Sequence, residues 1–512
     1  MGHVRSQKPP RGPPENRPRR RHGRSPTYAT HLHEQPQALA ARLWAGMVVS
    51  MDENQIQKII DQATVPNRDI ALADKLMTLG SECSESTVIS VGEAYNKETE
   101  KRRLRAISST PIVRLLVEQT AQQMVADGVS SQKSPDTRSL WEPWEKNGLP
   151  SAQTALYAAA LTYGEAYAVV LPAVGTPLTY DEAYALVAPG IDAPQASIRC
   201  YSPKTLTVHY EDMAGDEWPQ WAAICLGDRY KIFTSDMVYD VTLDKGRITS
   251  ISATPHSVGV CPVIRYAPNA DLEGVSIGEP IRWRIPAERF AKTVSDRLLA
   301  QHYNSWKVRT VTGLDRPETD SEALEQKAKL SNDTILTGGE GVQFGTLDET
   351  PLDGFLKAEA ADLATIAALA QKPVWALSGS QLVNLSADAI AEARSSERQK
   401  IQALQRALGR SHCQLLRLAA HIEGRSADAA DFSLRITWQD TEARSLSQSA
   451  DALGKIASQL QVPAQKLWDM IPGVSKDTAD QWREYADTHP TSEAALADYL
   501  RSTALTDTSA NG

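Results

Sequence analysis

One stretch limits the folds open to this chain more than any other. Starting from Ser386, a good helix N-cap, the positions Ile401, Leu404, Leu408, Ser411, Leu415, Leu418 and Ile422 alternate in steps of three and four before Gly424. Residues 386–422 number 37, and one helix of that length would measure about 55 Å at ~1.5 Å per residue. Such a rod is too long for a small core and needs partners along its length, within the chain or in neighbouring copies. Just upstream, Leu356, Ala360, Leu363, Ala367 and Ala370 form a second seam, widened by Ile366, on a helix predicted over 355–371 and ended by Pro373. The segment between the two helices, Trp375-Ala376-Leu377-Ser378-Gly379-Ser380-Gln381, reads as a loop of small, uncharged, flexible residues behind an aromatic.

The rest of the chain divides by hydrophobic period. Helices are predicted over 52–80, with Ile56, Ile59 and Ile60 on one stripe and Gly80 as a stop, over 111–127, closed by Gly128, and over 151–164, with Ser151 as N-cap. Ala166–Leu171 reads as a strand. From 197 to 267 the period becomes that of strands: Ile198–Tyr201, Leu206–Tyr210, Trp221–Leu226, Tyr230–Phe233, Met237–Val241 and Val260–Tyr266. A helix over 287–303 carries Phe290, Val294 and Leu298, with Glu288 and Lys292 one turn apart and Pro286 starting or kinking it. Residues 307–347 read as a small mixed unit: strand Val308–Val311, helix 321–330, strand Thr334–Leu336 and a glycine-rich turn at 338–341. A strand at Leu434–Trp438 and helices near 441–461, 463–470 and 475–486 complete an α+β chain.

Charge is uneven. The net charge is −9 over 512 residues, but residues 1–50 hold nine Lys/Arg and two Glu, or +7, which leaves −9 − 7 = −16 for the rest. The Pro- and Arg-rich first 46 residues read as disordered, either as a translated leader, with Met47 or Met51 as the start, or as a nucleic-acid-binding arm. An acidic body argues against tight non-specific binding of nucleic acid, yet is compatible with a surface that DNA slides past. No run approaches the ~20 apolar residues of a membrane span, and the N-terminus lacks an apolar signal region. The five cysteines show no ligand spacing and fit buried thiols.

Motifs that carry chemistry are scarce. Gly454-Lys455-Ile456 lacks the upstream glycine and the Ser/Thr of a phosphate-binding loop, and Ser378-Gly379-Ser380 lacks the flanking glycines of a nucleophile elbow. His31 and His33 with Glu34 would make a weak metal site at best. His209, His256, His302 and His412 read as packed or surface histidines. Asp320 with Glu325-Gln326-Lys327 is a loose nuclease-like pattern, but Leu324 and Leu330 give the segment helical character. Trp141 and Trp144 read as cover for a small core rather than as a base-stacking platform. No cofactor, metal or catalytic residue is expected.

Several stretches in order and spacing resemble the portal proteins of long-tailed, siphovirus-type phages. They are Trp144-Glu145-Lys146-Asn147-Gly148-Leu149 followed by residues 158–170, Gly259–Tyr266 leading through Ser276-Ile277-Gly278-Glu279-Pro280 into a helix with Ser295-Asp296-Arg297, and Ile436-Thr437-Trp438-Gln439-Asp440. The resemblance spans nearly all of 52–490. It implies a wing over 51–276, a stem helix at 277–304, a clip at 305–348, a second stem helix at 349–372, a tunnel loop at 373–385, a long wing helix and return strand at 386–440, crown-like helices at 441–502, and disordered ends at 1–50 and 503–512.

The same resemblance implies a non-enzymatic ring, typically of twelve copies, at a capsid vertex of the virion, assembled in the host cytoplasm. Double-stranded DNA would pass through it during packaging and ejection. Implied partners are the terminase large subunit, the head–tail adaptor, and the major capsid and scaffold proteins. Trp375, Ser378, Gly379, Ser380 and Gln381 would face the channel. Arg289, Lys292 and Arg297 would be stem cations, touching phosphates or pairing with Glu288 and Asp296 across subunits. Leu363, Ile366, Ile401, Leu404, Leu408 and Leu415 would pack between subunits. The alternatives are a metal-dependent phage nuclease acting through Glu325, or a scaffold or adaptor without a channel.

Overall fold

The computed structural model describes residues 51–79, 110–173 apart from 135, 195–304, 350–378, 392–439 and 446–489, with short pieces between them. Helix α1 (Glu53–Ala63) opens with a reciprocal cap in which Asp52 Oδ1 accepts from Gln55 N at 2.7 Å and Gln55 Oε1 accepts from Asp52 N at 3.1 Å. The single helix expected over 52–80 is two. Pro66 has no N–H to continue the first, and Asn67 caps α2 (Arg68–Thr78). Helix α3 (Ile112–Gln122) stops short of the expected Gly128. That glycine lies instead in strand β1 (Ala126–Ser130), where an added Cβ would meet the Lys476 side chain at 2.6 Å. Helices α4 (Thr137–Lys146) and α5 (Leu149–Tyr163) follow; α5 starts at Gly148 rather than at Ser151.

Eight strands of four or more residues come next, besides the two-residue pair Thr179–Tyr180 and Leu186–Val187: β2 (Ala166–Pro172), β3 (Ala196–Tyr201), β4 (Leu206–His209), β5 (Trp221–Leu226), β6 (Arg229–Phe233), β7 (Met237–Asp244), β8 (Arg247–Pro255) and β9 (Val263–Tyr266). Strands β9-β2-β3 form one antiparallel sheet, and β8-β7-β6-β5-β4 form a five-stranded meander. The sequence Ala166-Tyr167-Ala168-Val169-Val170 is apolar throughout because β2 is covered on both faces. Ala166, Ala168 and Val170 face the helical core, with Ile198 of β3 and Ile264 and Tyr266 of β9. Tyr167 and Val169 face the meander, against Ala222, Ile224 and Phe233.

Helices α6 (Glu279–Arg282) and α7 (Arg284–Asn304) are separated by Trp283. Pro286 is the third residue of α7, where a helix N–H has no intrahelical acceptor, so it fits without breaking a bond. Strands β10 (Arg309–Thr312) and β11 (Gln343–Thr346) pair antiparallel; β11 was not expected, and the expected helix 321–330 and strand Thr334–Leu336 lie largely outside the described residues. Helix α8 (Asp353–Ala370) packs along α7, and the turn α9 (Trp375–Ser378) follows. The long helix is described as α10 (Ser395–Ile422), 28 residues or about 42 Å; its expected start at Ser386 lies outside the described residues.

Helix α10 runs beneath the three-stranded sheet, packing on β2, β9, α4 and residues 435–438. After the short α11 (Ser426–Ala429), strand β12 (Arg435–Trp438) returns to pair with β1. Helices α12 (Leu446–Leu460) and α13 (Lys476–Thr488) follow, and the helix expected at 463–470 is two short 3-10 turns. No described helix is long and apolar enough to cross a membrane.

Candidate functional site: the helix pair and its anchorage

The three cations expected on the stem all have carboxylate partners within the chain. Arg289 Nε reaches Asp362 Oδ1 of α8 at 2.5 Å, and Thr293 Oγ1 donates to the other oxygen of that buried carboxylate at 3.0 Å. Arg297 Nε reaches Glu359 Oε2 at 2.8 Å. Lys292 pairs one turn along its own helix with Asp296, and Glu288 pairs with Arg284 at 3.4 Å rather than with Lys292. Two of the three cations therefore clamp α7 to α8. Lys292, with 71% of its side chain exposed, keeps the most open charge. The Arg297–Glu359 pair is less than one quarter exposed on either side. A double-mutant cycle with Arg297→Ala and Glu359→Ala is expected to give a coupling of about 1 kcal/mol in urea denaturation; additive effects would mean that the pair does not hold the helices together.

The expected packing positions divide. Ile366, Leu404, Leu408 and Leu415 are at most 2% exposed and belong to the chain's own core. They have no surface left for a second copy, which corrects their assignment between subunits. Leu363 and Ile401 are half-buried against the same core. On α8 Leu356 and Leu369 lie in the open on different sides of the helix, with Ala360, Ala361 and Ala368 exposed between them. The 3–4 spacing located an apolar surface, but it could not say which positions the chain covers itself.

A group of buried charges joins the end of α8 to the start of α10. Lys372 Nζ lies 2.6 Å from Glu397 Oε1, which also accepts from Gln123 Nε2 at 2.9 Å. Lys400 Nζ lies 2.7 Å from Glu279 Oε1 and sits 5.2 Å over the Trp283 ring. Burial alone would raise the Glu397 carboxyl, but the Lys372 ammonium and the Gln123 amide bring it below its usual value. The two pairs fasten α3, α6, α8 and α10 at one point and close the base of the segment from 373 to 396. Within that segment Trp375 is half-buried in a helical turn, not a loop, under the Arg394 guanidinium at 5.0 Å. Ser378 ends the same turn; Gly379, Ser380 and Gln381 lie outside the described residues. None of these charges was singled out from the sequence, since 25 residues separate Lys372 from Glu397.

A second anchor lies where α5 meets the strap entering α6. Gly164 ends α5 with φ +89°; an added Cβ would lie 2.3 Å from Ser276 O, and one on Gly278 would lie 2.1 Å from Thr162 O. Ser276 Oγ donates to Gly164 O at 2.5 Å. Arg265 Nε holds Glu165 at 2.7 Å, and its Nη2 donates to Gly274 O at 2.9 Å. The strings Tyr163-Gly164-Glu165 and Ser276-Ile277-Gly278 are thus two sides of one close contact.

Below it, His412 of α10 is fully buried. Its Nε2 lies 2.7 Å from the Tyr157 hydroxyl and its Nδ1 lies 2.9 Å from the Tyr266 hydroxyl, with the Trp144 ring edge-on at 4.6 Å. Tyr157 OH donates to Gln153 Oε1 at 3.3 Å, which also accepts from Ala126 N at 2.8 Å. One proton arrangement satisfies the chain: Tyr266 O–H donates to Nδ1, and Nε2–H donates to Tyr157. Burial pushes the imidazole down to about 3, so it is neutral. Trp144 lies in this core, as expected of a covering side chain. Among the described residues no cluster of His, Cys, Asp and Glu has the makings of a metal site, and Glu325 lies outside them.

An α+β body carries a clamped helix pair and a long helix that packs on its three-stranded sheet. The match to "Phage portal protein, SPP1 Gp6-like" runs over residues 52–489, and the chain belongs to that family of structural proteins. Solved structures similar to it include the neck of an empty GTA particle computed with C6 symmetry, at 14% identity and TM-score 0.40, covering 77% of this chain and 98% of that one. Another is the neck of the native GTA particle computed with C12 symmetry, at 13% identity and TM-score 0.41, covering 78% and 91%. No curated protein matches the sequence.

Proposed function

We propose that the protein assembles as a closed ring, of twelve copies in the virion, at one capsid vertex. Its centre is the channel through which double-stranded DNA enters during packaging and leaves during ejection. The reading rests on membership of the portal family over 52–489. Leu356 and Leu369, on two sides of α8, are apolar side chains that the chain itself leaves open. In this reading α7 and α8 are the stem, residues 305–348 the clip, residues 373–385 the tunnel loop, α10 the wing helix, and α12 and α13 the crown. The clip docks the terminase large subunit first and the head–tail adaptor later, while the wing and crown meet the capsid and scaffold proteins. Energy for translocation comes from the motor, since the sequence holds no nucleotide-binding motif.

Negative-stain images of the purified full chain are expected to show annular particles with a central hole. Leu356→Asp combined with Leu369→Asp is expected to shift them to monomers, because each buried charge would cost several kcal/mol at an interface. A monodisperse monomer of the unaltered chain across a range of salt concentrations would sink the reading.

A further inference from the structure

The outer side of α10 bounds an open groove of about 880 Å³, closed by the 214–217 loop on one side and by the approach to β12 on the other. Four arginines line it: Arg406, Arg410 and Arg417 from α10, and Arg435 from β12. Such a concentration of positive charge stands out on a chain of net charge −9. Asp216, Glu217 and Asp431 also line it, so the lining sums to 4 − 3 = +1, but these carboxylates are engaged elsewhere than on Arg406, Arg410 and Arg435. Glu217 takes only Arg417; Asp431 is held by Ser131 Oγ, Ser433 N and Ser433 Oγ; and Asp216 accepts from Asp212 N at 2.9 Å. Among the described residues Arg406, Arg410 and Arg435 have no carboxylate partner. Arg406 reaches only the Gln402 carbonyl of its own helix, and Arg435 reaches the Phe432 and Leu434 carbonyls. At the far end the Phe432 ring is 64% exposed, with the Arg417 guanidinium 4.0 Å above its centre.

We infer that this groove binds an extended, acidic segment of a partner protein. Arg406 and Arg410 are one helical turn apart, or about 6 Å along the axis. Carboxylates at alternate positions of an extended chain are about 6.6 Å apart on one face, so two successive acidic residues meet the two guanidiniums in register. The floor from Gln402 to Arg417 is about 22 Å long, room for roughly seven extended residues. Phe432 offers an apolar seat to a ring or aliphatic side chain at the end of that run. Glu217 and Asp216 on the rim disfavour the continuous phosphate charge of duplex DNA, whereas a peptide can place a neutral residue opposite them.

The test uses the full chain and a fluorescein-labelled heptapeptide with glutamate at alternate positions and phenylalanine at its C-terminus, read by fluorescence anisotropy at low salt. The expected result is saturable binding that Arg406→Ala with Arg410→Ala weakens by at least about tenfold, with the melting temperature and particle size unchanged. Arg410→Glu alone, at an exposed position, weakens it likewise, and a peptide with lysine for glutamate does not bind. The inference is overturned if the glutamate peptide does not bind, or if its affinity is the same in the arginine variants. Duplex DNA displacing the peptide through the same arginines would make the groove a nucleic-acid surface instead. Loss of assembly in the double variant would make it a contact between copies. Either outcome overturns the inference and leaves the ring proposal to its own test.

Discussion

Gly278→Ala is expected to destabilise the protein by more than about 3 kcal/mol, an effect on the scale reserved for steric overlap in a packed backbone. The added methyl would lie 2.1 Å from Thr162 O, a backbone atom that cannot rotate away. Gly164→Ala is expected to cost a similar amount, since its methyl meets Ser276 O at 2.3 Å and its φ of +89° is strained for any residue with a Cβ. The two glycines are opposite sides of one contact, so separating the backbones once relieves both overlaps. The double variant is therefore expected to fall short of the sum of the singles by 1 kcal/mol or more, taking about that value as typical of coupled neighbours. Urea denaturation followed by tryptophan fluorescence measures all three. A Gly278→Ala variant within about 0.5 kcal/mol of the parent would show that the strap does not press on α5 as described.

The second large effect concerns His412. His412→Ala removes a ring packed among Trp144, Tyr157, Tyr266 and Trp438, strands the buried Tyr266 hydroxyl and leaves the Tyr157 hydroxyl with only its 3.3 Å bond to Gln153. The cavity, the unpaired Tyr266 hydroxyl and the weakened Tyr157 bonding together are expected to cost about 3–5 kcal/mol. Combining His412→Leu with Tyr157→Phe and Tyr266→Phe removes the stranded polar groups and is expected to recover much of that loss. The same histidine sets a pH dependence. Its folded value is about 3, below the unfolded value of 6.5, so the unfolded chain takes up the proton first. The stability it provides is complete above pH 6.5 and is lost as the pH falls from 6.5 towards 3, by about 1.4 kcal/mol per unit. Denaturation at pH 7.5 and pH 5 should differ by about 2 kcal/mol more in the parent than in the triple variant. Equal differences would mean that His412 titrates normally.

Local pattern carried much of the architecture. Trp221–Leu226 and the run after Leu434 were legible because short runs of apolar, β-branched and aromatic residues stand between turn residues. Strand β8 was not, because it is mostly exposed and its Ile-Thr-Ser-Ile-Ser core has no buried face to mark it. Strand β1 was concealed by the helical spacing before it and by a glycine that resembles a helix stop. The split between α1 and α2 was written in Pro66 and Asn67 but hidden by one continuous apolar stripe.

The site was less legible for a physical reason. Arg289 and Asp362 lie 73 residues apart, and Glu279 and Lys400 are farther apart still, so no local spacing predicts that they meet. Neighbouring charges in one helix, Glu288 and Lys292, suggested a pair that the fold exchanges for Arg284–Glu288 and Lys292–Asp296. Heptad spacing found both apolar seams. Whether a seam is covered from within or left open depends on the rest of the fold, which put Leu404 and Leu408 inside and Leu356 outside.

The pairing of β1 with β12 has a consequence for synthesis. Ser130 and Arg435 are 305 residues apart, yet Ser130 Oγ donates to the Arg435 carbonyl across the same short ladder. On the ribosome β1 is made early and waits with an unpaired edge until residue 438 has emerged. Closing so large a loop is a late step, and the waiting edge can pair with other nascent chains in the meantime. A ribosome that stalls anywhere between 131 and 434 releases a fragment with that edge still open, so aggregation of truncated products belongs to this topology rather than to any single residue.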